Sequence, residues 1–260
     1  MAMEFSREES MQKLQQTVDD GDPIIGSGAG TGISAKFAER GGTDLIIIYN
    51  SGRYRMAGRA SPAGLLAYGD ANEIVMDMAG EVLPVVSDTP VLAGVHATDP
   101  FRDIDEFLQE VIDRGFSGVQ NFPTHGLIDG DFGEEIANLG MGYDKEIEMV
   151  DKASDMGLLT APYVFNKQQA RKMAEVGADL VVAHLGTTRG GDIGAENVAP
   201  LDEAAQRVQE LRDAAVSVNE DIFVISHGGA LAEPEDVRYQ MEHTEGVHGF
   251  FGASSVERLP

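Results

Sequence analysis

The sequence predicts an α/β fold, a (β/α)8 TIM barrel with an extra N-terminal helix and a short or missing eighth helix, and two observations carry that prediction. Short β-rich runs alternate with longer segments of helical periodicity along the whole chain, the pattern of repeated βα units around a parallel sheet. Several helical segments also close on glycine just before the next strand, at Arg40-Gly41-Gly42, Arg114-Gly115, Met156-Gly157, Val176-Gly177 and Glu245-Gly246, as a left-handed cap requires. A chain of 260 residues suits one such barrel, a unit of roughly 250 residues. No Pro-rich or Ser-rich linker interrupts the series, so residues 1–260 read as one domain, with residues 1–22 as a helical extension.

In order, Ser6–Val18 has helical periodicity ahead of the first strand, where it would cover the bottom of the barrel. Strands are expected near Pro23–Gly26, Asp44–Tyr49, Thr89–Val95, Gly118–Phe122, Leu158–Tyr163, Leu180–His184, Ile222–Ser226 and Val247–Phe251. After the last of these only Gly252–Pro260 remains, too little for a full eighth helix. An uncovered strand pair exposes apolar surface, which the N-terminal helix or a neighbouring subunit must fill, and a homo-oligomer is expected. Alternation alone does not show closure, so an open doubly wound sheet stays as the alternative architecture.

Composition narrows the function classes. The chain carries 19 Lys+Arg against 44 Asp+Glu, a formal net charge of -25, with the acids scattered over nearly every helical segment rather than gathered in a block. Scatter of this kind reads as the solvated surface of a halophilic, acidic protein, and the repulsive field disfavours nucleic acid and anionic membrane as partners. There is no cysteine, which removes disulfides, thiolate metal sites and cysteine nucleophiles together. The polar stretch Met1–Asp22 lacks the apolar core of a secretory signal and no run approaches bilayer length, so a cytoplasmic location is expected.

Barrel enzymes place their chemistry on the loops that follow the strands. After strand one, Gly26-Ser27-Gly28-Ala29-Gly30-Thr31-Gly32 fails the spacing of both dinucleotide and P-loop motifs. It remains a turn where a ligand can approach the backbone, with Ser27 and Gly28 as candidates, or a plain tight turn. Strand two runs into Tyr49-Asn50-Ser51-Gly52-Arg53-Tyr54-Arg55, and no acid occurs from Leu45 to Gly69. Arg53 and Arg55 are thus candidates to grip a carboxylate or phosphate beside Tyr49 and Asn50. The alternative is that these arginines pair with acids of another helix or subunit.

Strand three leads to His96 and Asp99, strand six to His184 and Thr187, and strand seven to His227, Gly228 and Gly229; three of the six histidines therefore stand at strand ends. Strands six and seven are expected to be neighbours about 4.8 Å apart, which would let His184 and His227 act on one ligand as acid and base or share a metal. Asn121 and Tyr163, at the ends of strands four and five, join the candidate substrate-binding set, as do Ser254 and Ser255 after strand eight, where barrels often hold a phosphate. His125, His243 and His248 are set aside for a loop, a helix and the eighth strand. A divalent metal such as Mg2+ is compatible with this face, yet no ligand motif is evident: only Asp99 and Asp192 offer hard oxygen there, and no ligand is assigned. No G-x-S-x-G elbow accompanies the serines, and aromatic residues are not interleaved with basic ones.

At these same segments the chain resembles the phosphoenolpyruvate hydrolase-like family, also described as TIM-barrel signal-transduction proteins. The likeness runs from about Ile24 to Pro260 on the strings GSGAGTGISAK, DLIIIYNSGRYRMAGR, AGLLAYGDANEIV, PVLAGVHATDPF, GVQNFPT, SHGGALAEPED and HGFFGASSVERLP. It implies a barrel and an enzyme acting on a small phosphorylated or carboxylated acid, by hydrolysis or by carbon–carbon or carbon–phosphorus cleavage. In that reading His184 and His227, with His96 and Asp99 alongside, move protons, and the arginines and the turns at Gly228 and Ser254 hold the anion. The Lys-Lys-Cys-Gly-His and Glu-Asp-Lys segments of the phosphoenolpyruvate mutase and isocitrate lyase group are absent. Family members usually continue past ERLP into another helix, so the stop at Pro260 is expected to mark a shortened chain or an altered subunit contact. A non-catalytic ligand sensor or interaction barrel is the competing expectation, with a nucleotide-binding barrel third.

Overall fold

The computed structural model describes residues 5–257. Its first helix, α1 (Arg7–Asp19), starts at a reciprocal cap in which the Ser6 hydroxyl accepts from the Glu9 amide and the Glu9 carboxylate accepts from the Ser6 amide, satisfying two donors that a helix end leaves unpaired. The strands follow as β1 (Ile24–Gly28), β2 (Leu45–Ile48), β3 (Val91–Gly94), β4 (Gly118–Gln120), β5 (Leu159–Thr160), β6 (Tyr163–Val164), β7 (Leu180–His184), β8 (Phe223–His227) and β9 (Gly249–Gly252). All pair in parallel, in the order β5-β4-β3-β2-β1-β9-β8-β7-β6.

The two ends of that order are one run of chain. The predicted fifth strand is interrupted at Ala161-Pro162, its first half pairing with β4 and its second with β7. Pro162 has no amide to give to a ladder, but its carbonyl accepts from Val182, and the run bends across the gap. One segment thus serves both edges, which closes the barrel and removes the open doubly wound alternative.

The remaining helices are α2 (Gly32–Arg40), α3 (Asn50–Met56), α4 (Ala71–Val82), α5 (Ile104–Arg114), α6 (Gly130–Ile136), α7 (Asp144–Asp155), α8 (Lys167–Glu175), α9 (Leu201–Val216), α10 (Pro234–Glu242) and α11 (Ser254–Glu257). Gly115 closes α5 at φ 104°, and Gly42, Gly157, Gly177 and Gly246 stand at positive φ at the other predicted closures. The strands are buried on both faces, β2 as the unbroken run Leu45-Ile46-Ile47-Ile48, as expected of a parallel sheet wrapped by helices.

Helix α1 lies across the N-terminal ends of the strands. Leu14 is fully buried, Arg7 Nε donates to Asp179 just before β7 at 2.8 Å, and Thr17 Oγ1 donates to Asp44 just before β2 at 2.8 Å. The bottom of the barrel is therefore covered by chain that precedes it, leaving the opposite mouth for a site. Beside the short α11, the side chains of Ile25, Ile33, Phe37, Met56 and Val256 line an open apolar trough of about 580 Å³. Among the described residues no helix is long and apolar enough to cross a membrane.

Candidate active site

The closing residues of β7 and β8 are in direct register, His184 opposite His227, so both side chains point to the same side of the sheet. Their ring centroids lie 4.8 Å apart, and both rings are buried. What each ring nitrogen touches differs. Gly186 turns the chain back after β7, and its amide donates to His184 Nδ1 at 2.9 Å, so that nitrogen is an acceptor and the ring proton sits on Nε2. His227 Nδ1 lies 2.7 Å from the Phe251 carbonyl oxygen; a carbonyl only accepts, so here the proton sits on Nδ1 and Nε2 carries the lone pair. The strand-end turns thus set opposite tautomers on two neighbouring imidazoles.

Both rings stay neutral at neutral pH. Burial pushes His227 down to about 4, against the bond to Phe251 that favours its charged form. Burial also holds His184 well below its ordinary value, and the neighbouring His227 adds to the effect. A desolvated imidazole loses its charged form first.

Tyr163, first residue of β6, packs against both histidines at 4.7 and 5.2 Å between centroids, and its hydroxyl meets that of Tyr49 at 3.3 Å. Its backbone is held from below. Asn121 Oδ1 accepts from the Tyr163 amide at 2.7 Å while Asn121 Nδ2 donates to the Tyr163 carbonyl at 3.3 Å and to Glu146. The Tyr143 hydroxyl donates to the same carbonyl. Glu146, fully interior on α7, also accepts from Thr124 Oγ1 at 2.7 Å and the His125 amide at 2.6 Å. Burial pushes its carboxyl up to about 8 even against these donors. Sequence reasoning missed Glu146. The available signal was its place at the head of the buried stripe Glu146, Met149, Val150 and Ala153, the spacing of an apolar helix face.

Both candidate arginines are engaged with carboxylates. Arg53 is at the surface, 3.1 Å from Glu81. Arg55 is buried, ion-paired to the equally buried Glu257, with Nη1 donating to Ser61 Oγ at 3.2 Å and its guanidinium 5.2 Å from the Tyr49 ring centroid. Burial raises the Glu257 carboxyl and the Arg55 charge opposes it. The acid-free stretch therefore takes its counter-charges from α4 and α11.

The cavity in front of the histidines has a volume of about 30 Å³ and is lined by Tyr49, Phe122, Tyr163, His184, Thr187, His227 and Ser254 among others. One water needs ~10–15 Å³ of such space, so the cavity admits a compact polar head. Leu65 and Leu127 add apolar lining.

The other expected residues are placed elsewhere. Ser27 lines the trough beside α2, its hydroxyl donating to the Gly28 carbonyl. A side chain on Gly28 would stand 3.2 Å from Arg55 Nη2. Asn50 Nδ2 donates to the Gly64 carbonyl at 2.9 Å. His96 faces a neighbouring trough with Nε2 3.0 Å from Thr98 Oγ1, and Asp99 accepts from Arg102, Asn72 and the Phe101 amide, so this pair stands apart from the two histidines. Gly228 and Gly229 have φ of 80° and 56°, and a Cβ on Gly228 would come 2.2 Å from the Gly186 carbonyl oxygen. The Gly229 amide is spent on that same oxygen, so these glycines let the β7 and β8 turns pack together. The Ser255 hydroxyl is buried without a partner among the described residues.

Among the described residues no group of three His, Asp or Glu side chains converges as cation ligands. The two imidazoles offer two nitrogens, and the buried carboxylates are engaged, Glu257 by Arg55 and Glu146 by Asn121, Thr124 and the His125 amide. The residues at this mouth do not fit a resident divalent metal, and no step below is routed through one.

Comparison with known proteins adds a family and a fold. Residues 9–260 match the model of the phosphoenolpyruvate hydrolase-like family. The ToMV susceptible protein tm-1(GCR26) and the ToMV resistance protein Tm-1(GCR237) of Solanum lycopersicum are each 56% identical over 250 residues, 96% of this chain and 33% of theirs. The chain thus spans about a third of the length of these relatives. Among solved structures, phosphoenolpyruvate phosphomutase from Streptomyces platensis subsp. rosaceus superposes with TM-score 0.61 at 15% identity, covering 95% of this chain and 82% of that one. Phosphonopyruvate hydrolase in complex with oxalate and Mg++ superposes with TM-score 0.57 at 14% identity, covering 96% and 82%. At such identities the superpositions establish a shared barrel fold.

Proposed function

This chain belongs to the phosphoenolpyruvate hydrolase-like family, and within it we propose an enzyme that uses His184 and His227 as an acid–base pair on a small carboxylated or phosphorylated acid, by hydrolysis or by carbon–carbon or carbon–phosphorus cleavage. The observation that carries this reading is the opposite tautomers of the pair. His227 Nε2 has a lone pair to take a proton, and the imidazolium so formed is the acid that gives it back, while the neutral His184 Nε2–H donates a hydrogen bond to the oxygen on which charge develops. Positioned proton transfer of this kind contributes roughly 10²–10⁴-fold to a rate. An anionic substrate in the cavity raises both imidazole pKa values, because a nearby negative charge favours the charged ring. With Arg53 and Arg55 already paired and the cavity small, a carboxylate or carbonyl head fits better than a phosphate dianion.

The test is product detection across 2-oxo, phosphono and enol-phosphate acids, for the native chain and for His184→Gln and His227→Gln. We expect turnover of at least one acid and a loss of about a hundredfold or more in each variant; equal turnover in all three proteins overturns the assignment.

A second reading has its own observation, the names of the tomato relatives, which describe susceptibility and resistance rather than a reaction. In that case the same mouth binds an acid and performs no chemistry, as a ligand-sensing or interaction barrel, and saturable binding without product in the same panel supports it. We also propose that the apolar trough beside α2 is covered by a second copy of the chain, the acidic surface keeping the remaining faces soluble in high salt. Light scattering showing a monomer at all concentrations counts against that contact.

A further inference from the structure

Beside the histidine cavity runs a second hollow of about 490 Å³ that the acid–base reading leaves unused. Its walls come from the segments after β2, β3 and β4 and are mostly apolar, and Leu65 lines both it and the histidine cavity. Its outer wall presents Leu66, Phe132 and Leu139 at 55%, 65% and 74% exposure. Large apolar side chains shown to water around a concavity mark a binding surface. One polar atom there is also unpaired: Asn50 is buried next to Gly64, and its Oδ1 has no donor among the described residues.

We propose that this trough is a subsite for the apolar arm of the substrate, so that the chain acts on acids carrying an aliphatic or aromatic tail rather than on compact ones. The proposal rests on the assignment of the acid head to the histidine cavity. The small histidine cavity holds the carboxyl or carbonyl group, the tail passes over the Leu65 side chain, and the trough takes it out of water. Leu65 is a wall common to both hollows, so the trough lies one side chain from the histidine cavity, within reach of a small molecule whose head sits there.

The experiment is calorimetric binding of straight-chain 2-oxo acids lengthened from four to about eight carbons. Native chain, Phe132→Asp, Leu139→Asp and His227→Gln are compared; both aspartates replace exposed side chains, so folding is preserved. The expected result is about a fourfold gain in affinity per added methylene in the native chain, as buried methylenes give. Both aspartate variants flatten that series and leave the affinity of the shortest acid unchanged. A short acid that binds with no dependence on length overturns the subsite and leaves the histidine reading intact. Length dependence that persists while His227→Gln leaves every affinity unchanged supports the trough and overturns the placement of the head. A flat series with a dimer that Phe132→Asp dissociates assigns the trough to a second copy and overturns the subsite, and no binding of any member overturns both.

Discussion

Replacing His227 with Gln removes one titration from the folding equilibrium, and the structure sets its size. The imidazole moves from an ordinary 6.5 in the open chain to about 4 when buried. Between those values the unfolded chain holds a proton that the native chain does not, so native stability is complete above 6.5 and is lost as pH falls toward 4. By linkage the loss between about pH 7.5 and about pH 5 is about 2 kcal/mol, or roughly thirtyfold in the unfolding constant. The Gln amide does not titrate, and comparing each protein with itself at the two pH values cancels the contact to Phe251 that the substitution gives up. The many carboxylates also change the pH dependence, but they do so equally in both proteins. Urea denaturation at the two pH values should therefore show a native stability difference larger than that of His227→Gln by about 2 kcal/mol. An identical difference in the two proteins refutes a buried, neutral His227.

Other perturbations follow from the same contacts. Arg55→Met leaves the buried Glu257 without its counter-charge and should cost about 3–5 kcal/mol in denaturant midpoint analysis, most of it recovered when Glu257→Leu is added. Gly228→Ala drives a Cβ to 2.2 Å from the Gly186 carbonyl at a φ of 80°; we expect about 2 kcal/mol or more of lost stability, read by thermal denaturation, together with a displaced His184 contact. Glu146→Leu strands the donors of Asn121, Thr124 and His125 and should cost about 3 kcal/mol, with a changed tyrosine near-ultraviolet dichroism as Tyr163 loses its support.

The barrel was legible because its signals are local. A period of apolar residues and a glycine at each helix end are read without knowing what lies across the sheet, and the eight strands stand where that reading places them. The break at Ala161-Pro162 went unread because a proline within an apolar run does not say which half pairs with which neighbour. The histidine pair was legible for the same reason as the strands: residues ending adjacent parallel strands must meet. What the arginines do was not, since Glu257 is 202 positions from Arg55 along the chain and only the closed barrel brings α11 against α3. Glu146 looked like one more acid of a solvated helix. The roles of Gly228 and Gly229 depend on the approach of Gly186, so small residues at a strand end read equally well as an anion cradle or as a packing requirement.

Selective nitrogen-15 labelling of histidine gives the most direct test of the central claim, and with six histidines in the chain single His→Gln variants assign every signal. We expect His184 protonated at Nε2 and His227 at Nδ1, both neutral from neutral pH down to about pH 5. The same tautomer on both rings, or a charged ring at neutral pH in the free protein, contradicts the acid–base pair.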